Sequence, residues 1–322
     1  MLNLAKVLLD ASLVFILLAL ITNVVLLSAA RRVNRLAAAK VPAKVAVGAG
    51  VGGRSLDDAV TSVDAGMTDA DNEAATPPST KAKQKATPLN MAAFGTGFTI
   101  VAWALMTAYI IVRMTITGHG PFSNMHEFAV SFVWGIMAAY LVAFWRFKVR
   151  MLSLVVLPVA ACLDFYAISL GVGVETLLPA LQNNVLLTLH VGFAMLSYGA
   201  ACVSFAAAIL YLIYPYLKLK ISRDKLDEIG YKGAVVAFPL MTIMILLGAL
   251  WAKTAWGAYW SWDPKESAAL VTWILYAAFM HARVARGWRG TRSAWLLIIG
   301  FAAVMVAYFG NYFLGGLHSA YK

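Results

Sequence analysis

Residues 185–215 read VLLTLHVGFAMLSYGAACVSFAAAILYLIYP, a run without a single Asp, Glu, Lys or Arg. A helix needs ~20 predominantly apolar residues to cross the hydrocarbon layer of a membrane. The run therefore reads as a spanning helix, about ten residues longer than the layer requires, which predicts a tilt or a projection beyond it. Seven further stretches qualify on the same ground: 8–30, 92–114, 127–145, 151–170, 233–252, 267–285 and 294–314. The whole chain agrees, with 61% apolar and only 13% charged residues among 322, against ~25% charged in soluble proteins. The expected fold is an all-α polytopic membrane protein of eight helices.

The basic residues give that bundle a direction. Lys6 alone precedes the first helix, while Arg31, Arg32 and Arg35 follow it, which marks a retained anchor with its N-terminus outside rather than a cleaved signal peptide. The inner segments 31–91, 146–150, 216–232 and 286–293, counted with the adjoining helix ends, then hold 21 of the 26 Lys and Arg residues. Positive charge on inner loops accounts for the net charge of +11 without nucleic acid, and the even number of crossings places the C-terminus outside as well.

Three segments are expected: a transmembrane anchor at 1–30, a cytoplasmic linker at 31–91 and a seven-helix core at 92–322. The linker is Gly-rich, carries six acids from Asp57 to Glu73, then Thr-Pro-Pro-Ser-Thr and three lysines; such a composition buries no core and predicts disorder. The two cysteines, Cys162 and Cys202, lie in apolar stretches far apart. They exclude a membrane dithiol oxidoreductase, a Cys-ligated metal site and the CxxCH of a c-type cytochrome.

The chemistry concentrates in WAKTAWGAYWSWDPKES, residues 251–267. Trp251, Trp256, Trp260 and Trp262 fall within twelve residues, with Tyr259 among them. Interfacial rings anchor helix ends, usually one or two at a time; four suggest a flat apolar platform for a large planar ligand. Asp263, Pro264 and Glu266 match a helix start, with Asp263 as N-cap, Pro264 at the first position and Glu266 closing a capping box. A cap of this kind also fixes the angle at which the tryptophans leave the helix.

His190 lies about 8 Å into the fifth helix from its outer end by helical rise, and His318 follows the last helix in GNYFLGGLHSA. Either imidazole alone is more often structural. Two of them beside the tryptophans suggest the axial ligands of a haem. His281 sits near the cytoplasmic third of the seventh helix with no histidine at its depth. It is either structural or half of a site completed by another subunit. In TGHGPFSNMHEF (117–128) a structural role is favoured: Glu127 is expected to pair with Arg113 or cap the third helix, and His119 and His126 are weak metal candidates.

WGAYWSWDPKES resembles the WWD signature of haem-handling membrane proteins, and in particular of the CcsA/ResC cytochrome c biogenesis family, called CcsB in some bacteria. The resemblance extends over roughly 92–320 through GP-x-SN-x-x-E at Gly120–Glu127, Ser197-Tyr198 after His190, His281, and GNYFLGGLHS. The long linker and His126, where an aromatic residue is expected, depart from it. The resemblance implies System II cytochrome c maturation in a bacterial plasma membrane: haem delivered to the extracytoplasmic face and joined to the CxxCH of apocytochrome c by a thioether-forming synthase. A ResB-type membrane protein would be the partner, with a thioredoxin-like thiol reductant and membrane lipid around it. It implies haem b as substrate and bound ligand. Trp251, Trp256, Gly257, Trp260, Trp262, Asp263, Pro264 and Glu266 would contact it, His190 and His318 would ligate iron at an outer site, and His281 at an inner site whose second ligand the partner supplies. No catalytic residue is assigned. Two other readings stand beside this one. A WWD haem exporter loading a chaperone would have about six helices; a b-type electron-transfer subunit would need two His pairs at two depths in this chain.

Overall fold

The computed structural model describes residues 1–39, 89–174, 181, 184–217 and 221–318. Most of the expected linker, residues 40–88, lies outside the described residues. Eight α-helices follow in order: α1 (Leu2–Ala39), α2 (Leu89–Thr117), α3 (Met125–Phe147), α4 (Ser153–Ser169), α5 (Asn184–Leu217), α6 (Arg223–Trp256), α7 (Pro264–Ala285) and α8 (Thr291–Phe313). A 3₁₀ turn at Arg150–Leu152 leads into α4. All eight are long and apolar enough to cross a membrane.

α3 and α5 form the centre. α5 packs on α6, α3 and α8, α7 rests chiefly on α8, and the α1–α2 pair leans on α4 and α3. Small residues let the central pair touch backbone to backbone: a Cβ on Gly135 would stand 2.5 Å from the Met195 carbonyl oxygen. Between apolar helices in lipid, such close approach supplies the packing energy that hydrophobic burial cannot. Outward faces stay apolar, as at Val142, Phe165 and Trp145, which are exposed.

α5 and α6 run 34 residues each, about 50 Å by helical rise against a ~30 Å hydrocarbon layer. The surplus length expected for α5 is therefore real. That of α6 is not visible as a hydropathy run, because its first turns read RDKLDEIGYK. The helix begins there because Ser222 caps it, accepting from Lys225 N at 3.2 Å. Leu226 and Ile229 turn inward and are buried, and Asp227 accepts from Arg283 Nη2 at 2.5 Å and from Gly290 N at 2.9 Å. An amphipathic face hidden under charges thus extends the helix. α1 likewise runs on to Ala39, beyond the expected end at 30.

Because successive helices run in opposite directions, the C-terminal ends of α2, α4, α6 and α8 and the N-terminal ends of α3, α5 and α7 share one end of the bundle. There Arg113 of α2 and Glu127 of α3 form an ion pair at 2.8 Å with both side chains fully buried. Arg113 also donates to the carbonyls of Val172 and Gly173 at 2.6 and 2.5 Å, just past α4. Glu127 Oε2 accepts from Ser123 N and Oγ, while the cap of α3 is Asn124. The pairing expected for Glu127 is present, and capping falls to its neighbour.

Candidate functional site

The same end holds the tryptophan loop. α6 closes at Gly257, whose φ of 81° lies in the left-handed region that glycine favours. α7 opens with the expected capping box: Asp263 Oδ2 accepts from Lys265 N at 3.0 Å, and Glu266 Oε2 accepts from Asp263 N at 3.2 Å. Pro264 takes the first helical position, where its missing N–H is no loss. Glu266 Oε2 accepts also from Ser261 N and Oγ, so it secures the loop from within.

The resulting cleft is open at its mouth and spans about 1140 Å³ with the solvent there included, and His190, His318, Trp251, Trp256, Trp260 and Tyr259 all line it. Trp251 is buried and meets Trp256 edge to face at 4.7 Å. Trp256 stands edge to face with His318, also at 4.7 Å. Phe128, Phe132 and Tyr198 continue the aromatic wall. Trp262 is placed elsewhere: its φ of 58° turns it away, and it is 71% exposed, in contact with the edge of Trp260. Three of the four tryptophans therefore line the cleft.

Both imidazoles are held by one nitrogen. His190, in the second turn of α5, has Nδ1 2.8 Å from the Met244 carbonyl oxygen of α6. A carbonyl only accepts, so Nδ1 carries the proton and Nε2 the lone pair. Gly248 makes room for the ring, since a Cβ there would lie 2.7 Å from His190 Cε1 and 2.9 Å from Nδ1. His318 has Nδ1 2.8 Å from Asp263 Oδ2, and its backbone N–H reaches Asp263 Oδ1 at 3.4 Å. A carboxylate behind Nδ1 again makes Nε2 the electron-pair donor, the arrangement common behind metal-bound histidines.

Burial works to raise the Asp263 pKa. The hydrogen bond and field of His318, with the backbone N–H groups of Lys265 and His318, outweigh it and hold the carboxyl at about 2. Burial lowers the His318 pKa, and the Asp263 bond opposes this without overcoming it. At neutral pH the pair is a carboxylate and a neutral imidazole, and a neutral imidazole is the form that ligates iron.

Among the described residues, no group of three or more His, Cys, Asp or Glu side chains is placed to hold a metal ion. Two imidazoles beside an apolar aromatic wall suit an iron that brings its equatorial ligands with it, as in a porphyrin. His126 is committed otherwise: Nδ1 lies 2.7 Å from the Ala167 carbonyl and Nε2 2.5 Å from Tyr109 Oη, so the hydroxyl donates to Nε2. His119 Nδ1 is 2.7 Å from the Gly120 carbonyl. His281 does not line the cleft. It is exposed on α7, sixteen residues or ~24 Å along the helix from Lys265.

Gly248, the Met244 carbonyl and Lys265 were not legible as site residues. Gly248 lies in an ordinary apolar stretch, and a backbone carbonyl has no signature at all. Lys265 stood inside the aromatic motif and read only as part of a helix start.

Residues 122–318, which contain the cleft, match the family described as Cytochrome C assembly protein. The Cytochrome c biogenesis protein CcsA of Guillardia theta is 34% identical over 260 residues, covering 71% of this chain and 86% of that protein. The protein of the same name from Gloeothece citriformis is 34% identical over 286 residues, with 70% and 87% covered. That of Gloeobacter violaceus is 31% identical over 289 residues, with 70% and 85% covered.

Proposed function

This chain belongs to the cytochrome c assembly protein family, and from that premise we propose that its tryptophan cleft holds haem b for covalent attachment to apocytochrome c. The coarser role, a multi-pass membrane protein of cytochrome c maturation, follows from the family and the eight spanning helices. One observation carries the finer reading: two imidazoles, each with Nδ1–H given to a fixed acceptor, line one aromatic cleft.

Haem enters here as substrate. Its vinyl groups supply the acceptor for chemistry in which a CxxCH thiol adds across C=C: sulfur bonds to the carbon next to the ring, hydrogen goes to the terminal carbon, and nothing is oxidised or reduced. The chain's part is positioning. His190 from α5 and His318 from the segment after α8 hold the iron, Trp251, Trp256 and Trp260 bear on the macrocycle, and the loop braced by Asp263 and Glu266 keeps that surface in place. No side chain is assigned the proton transfer. Release requires the incoming CxxCH histidine to displace one of the two axial ligands.

The excess of Lys and Arg on the opposite end, 21 of 26 by the alternating topology, supports an extracytoplasmic cleft with both termini outside in a bacterial plasma membrane. His281, exposed on α7 and distant from the cleft, is assigned to an inner haem site completed by a ResB-type partner. Residues 31–91 serve as a cytoplasmic tether between anchor and core, and a thioredoxin-like reductant keeps the apocytochrome thiols reduced.

Purification with the partner from haem-replete cells should yield the low-spin spectrum of a bis-imidazole b-type haem. His190→Ala or His318→Ala should abolish that spectrum and holocytochrome c, and added imidazole should restore part of both. Wild-type holocytochrome c in either variant would overturn the assignment.

A further inference from the structure

Lys265 places a positive charge in a mostly apolar cleft whose other polar lining includes Glu266 and the two histidines. Its Nζ lies 4.9 Å from the centroid of the Phe128 ring, and both residues line the cavity that His190 and His318 share. The ion pairs among the described residues are Arg113–Glu127, Lys232–Glu228, Arg283–Asp227 and His318–Asp263; none takes in Lys265. The nearby acids have other tasks. Asp263 holds the His318 ring and caps α7, and Glu266 Oε2 accepts from Ser261 and Asp263.

A second donor stands without an acceptor in the same wall. Trp260 Nε1 is buried and makes no hydrogen bond among the described residues. An ammonium held over an aromatic ring has partial compensation, and a buried indole N–H has none. An ammonium in largely apolar surroundings that forms no direct ion pair is unfavourable. An occupant that brings an anionic oxygen removes the first deficit, and one whose acid edge reaches the indole removes the second.

Resting on the haem reading above, we infer that Lys265 is the anchor for a carboxylate of the cleft's ligand, with Trp260 Nε1–H as a second donor to that ligand's acid edge. In a porphyrin this edge is the pair of propionates, opposite the edge that carries vinyl groups. Clamping the acids at Lys265 leaves the opposite edge to meet the incoming thiols. The cation thus selects orientation as well as charge.

The test is a Soret titration of the full chain with its partner, using haem and haem dimethyl ester, in which both acids are masked. The wild type should prefer the diacid by about tenfold, the size of one charge-assisted bond. Lys265→Met should bring the two within about twofold by weakening the diacid alone, with ester affinity and the bis-imidazole spectrum kept; Lys265→Arg should retain the preference. Wild-type discrimination in Lys265→Met would overturn the assignment. So would loss of both porphyrins in Lys265→Met but not in Lys265→Arg, which would place the lysine in the loop's architecture. If neither porphyrin shifts the Soret band of the wild type, the haem reading itself falls, and the anchor with it.

Discussion

Asp263 and His318, fifty-five residues apart in the chain, meet Oδ2 to Nδ1 at 2.8 Å. The same carboxylate oxygen caps α7 through Lys265 N. One aspartate therefore fixes the helix that follows the tryptophan loop and the imidazole that faces the cleft. Gly316 permits the approach, because any Cβ at that position would collide with the Asp263 carboxylate. Asp263→Asn, which keeps the size and loses the charge, should weaken haem retention by ~10–100-fold and turn part of the low-spin spectrum high-spin, while His190 stays bound.

The pH dependence follows from the same pair. The Asp263 pKa is held at about 2, so its contribution is complete above the ordinary carboxylate range and is lost only as pH falls toward that value. The His318 pKa lies below its ordinary 6.5, so proton competition for the ligating nitrogen begins only below that pH. The bis-imidazole spectrum should therefore be constant from about pH 8 to 6.5 and decay under further acidification. A midpoint above neutrality would contradict the pairing.

Gly248 should tolerate no side chain. Gly248→Ala places a methyl 2.7 Å from His190 Cε1, and the ring must leave the Met244 carbonyl. Overpacking of this kind costs ~1–3 kcal/mol, read here as weaker haem binding in a Soret titration. In a His190→Ala background the added methyl should cost little, so the two substitutions should be strongly non-additive.

Breaking the buried pair at the same end should act on stability. Arg113→Met or Glu127→Gln leaves a buried partner uncompensated, which costs ~3–5 kcal/mol, and Arg113→Met also frees the Val172 and Gly173 carbonyls that Arg113 holds. Thermal unfolding in detergent should show either single variant well below wild type. Arg113→Met combined with Glu127→Leu should recover part of the loss.

His281 should respond to the partner and the cleft histidines should not. His281→Ala is expected to lower haem content of the complex at an inner site while leaving Soret binding at the cleft intact. In the chain purified alone, wild type and variant should bind the same amount. A large difference there would place both inner ligands within this subunit.

The spanning helices were legible because hydrocarbon demands long apolar runs, a requirement each helix meets locally. The capping box at Asp263–Glu266 was legible for the same reason, since its donors and acceptors lie within four residues. The start of α6 at Arg223 was not, because its buried stripe of Leu226 and Ile229 is outnumbered by charges that only the neighbouring helices make affordable.

The sequence by itself determined that this is a bundle of eight membrane helices with an aromatic loop and histidines at one end. It also supplied the family likeness from which a use for those residues is proposed. Tertiary structure alone decided which of them meet: His190 against the Met244 carbonyl and Gly248, His318 against Asp263, Lys265 over Phe128, and Trp262 turned out of the cleft. The reason is physical. Membrane insertion is governed by the hydropathy of contiguous residues, whereas ring orientation depends on side chains and carbonyls brought together across helices, and no local pattern encodes those distances.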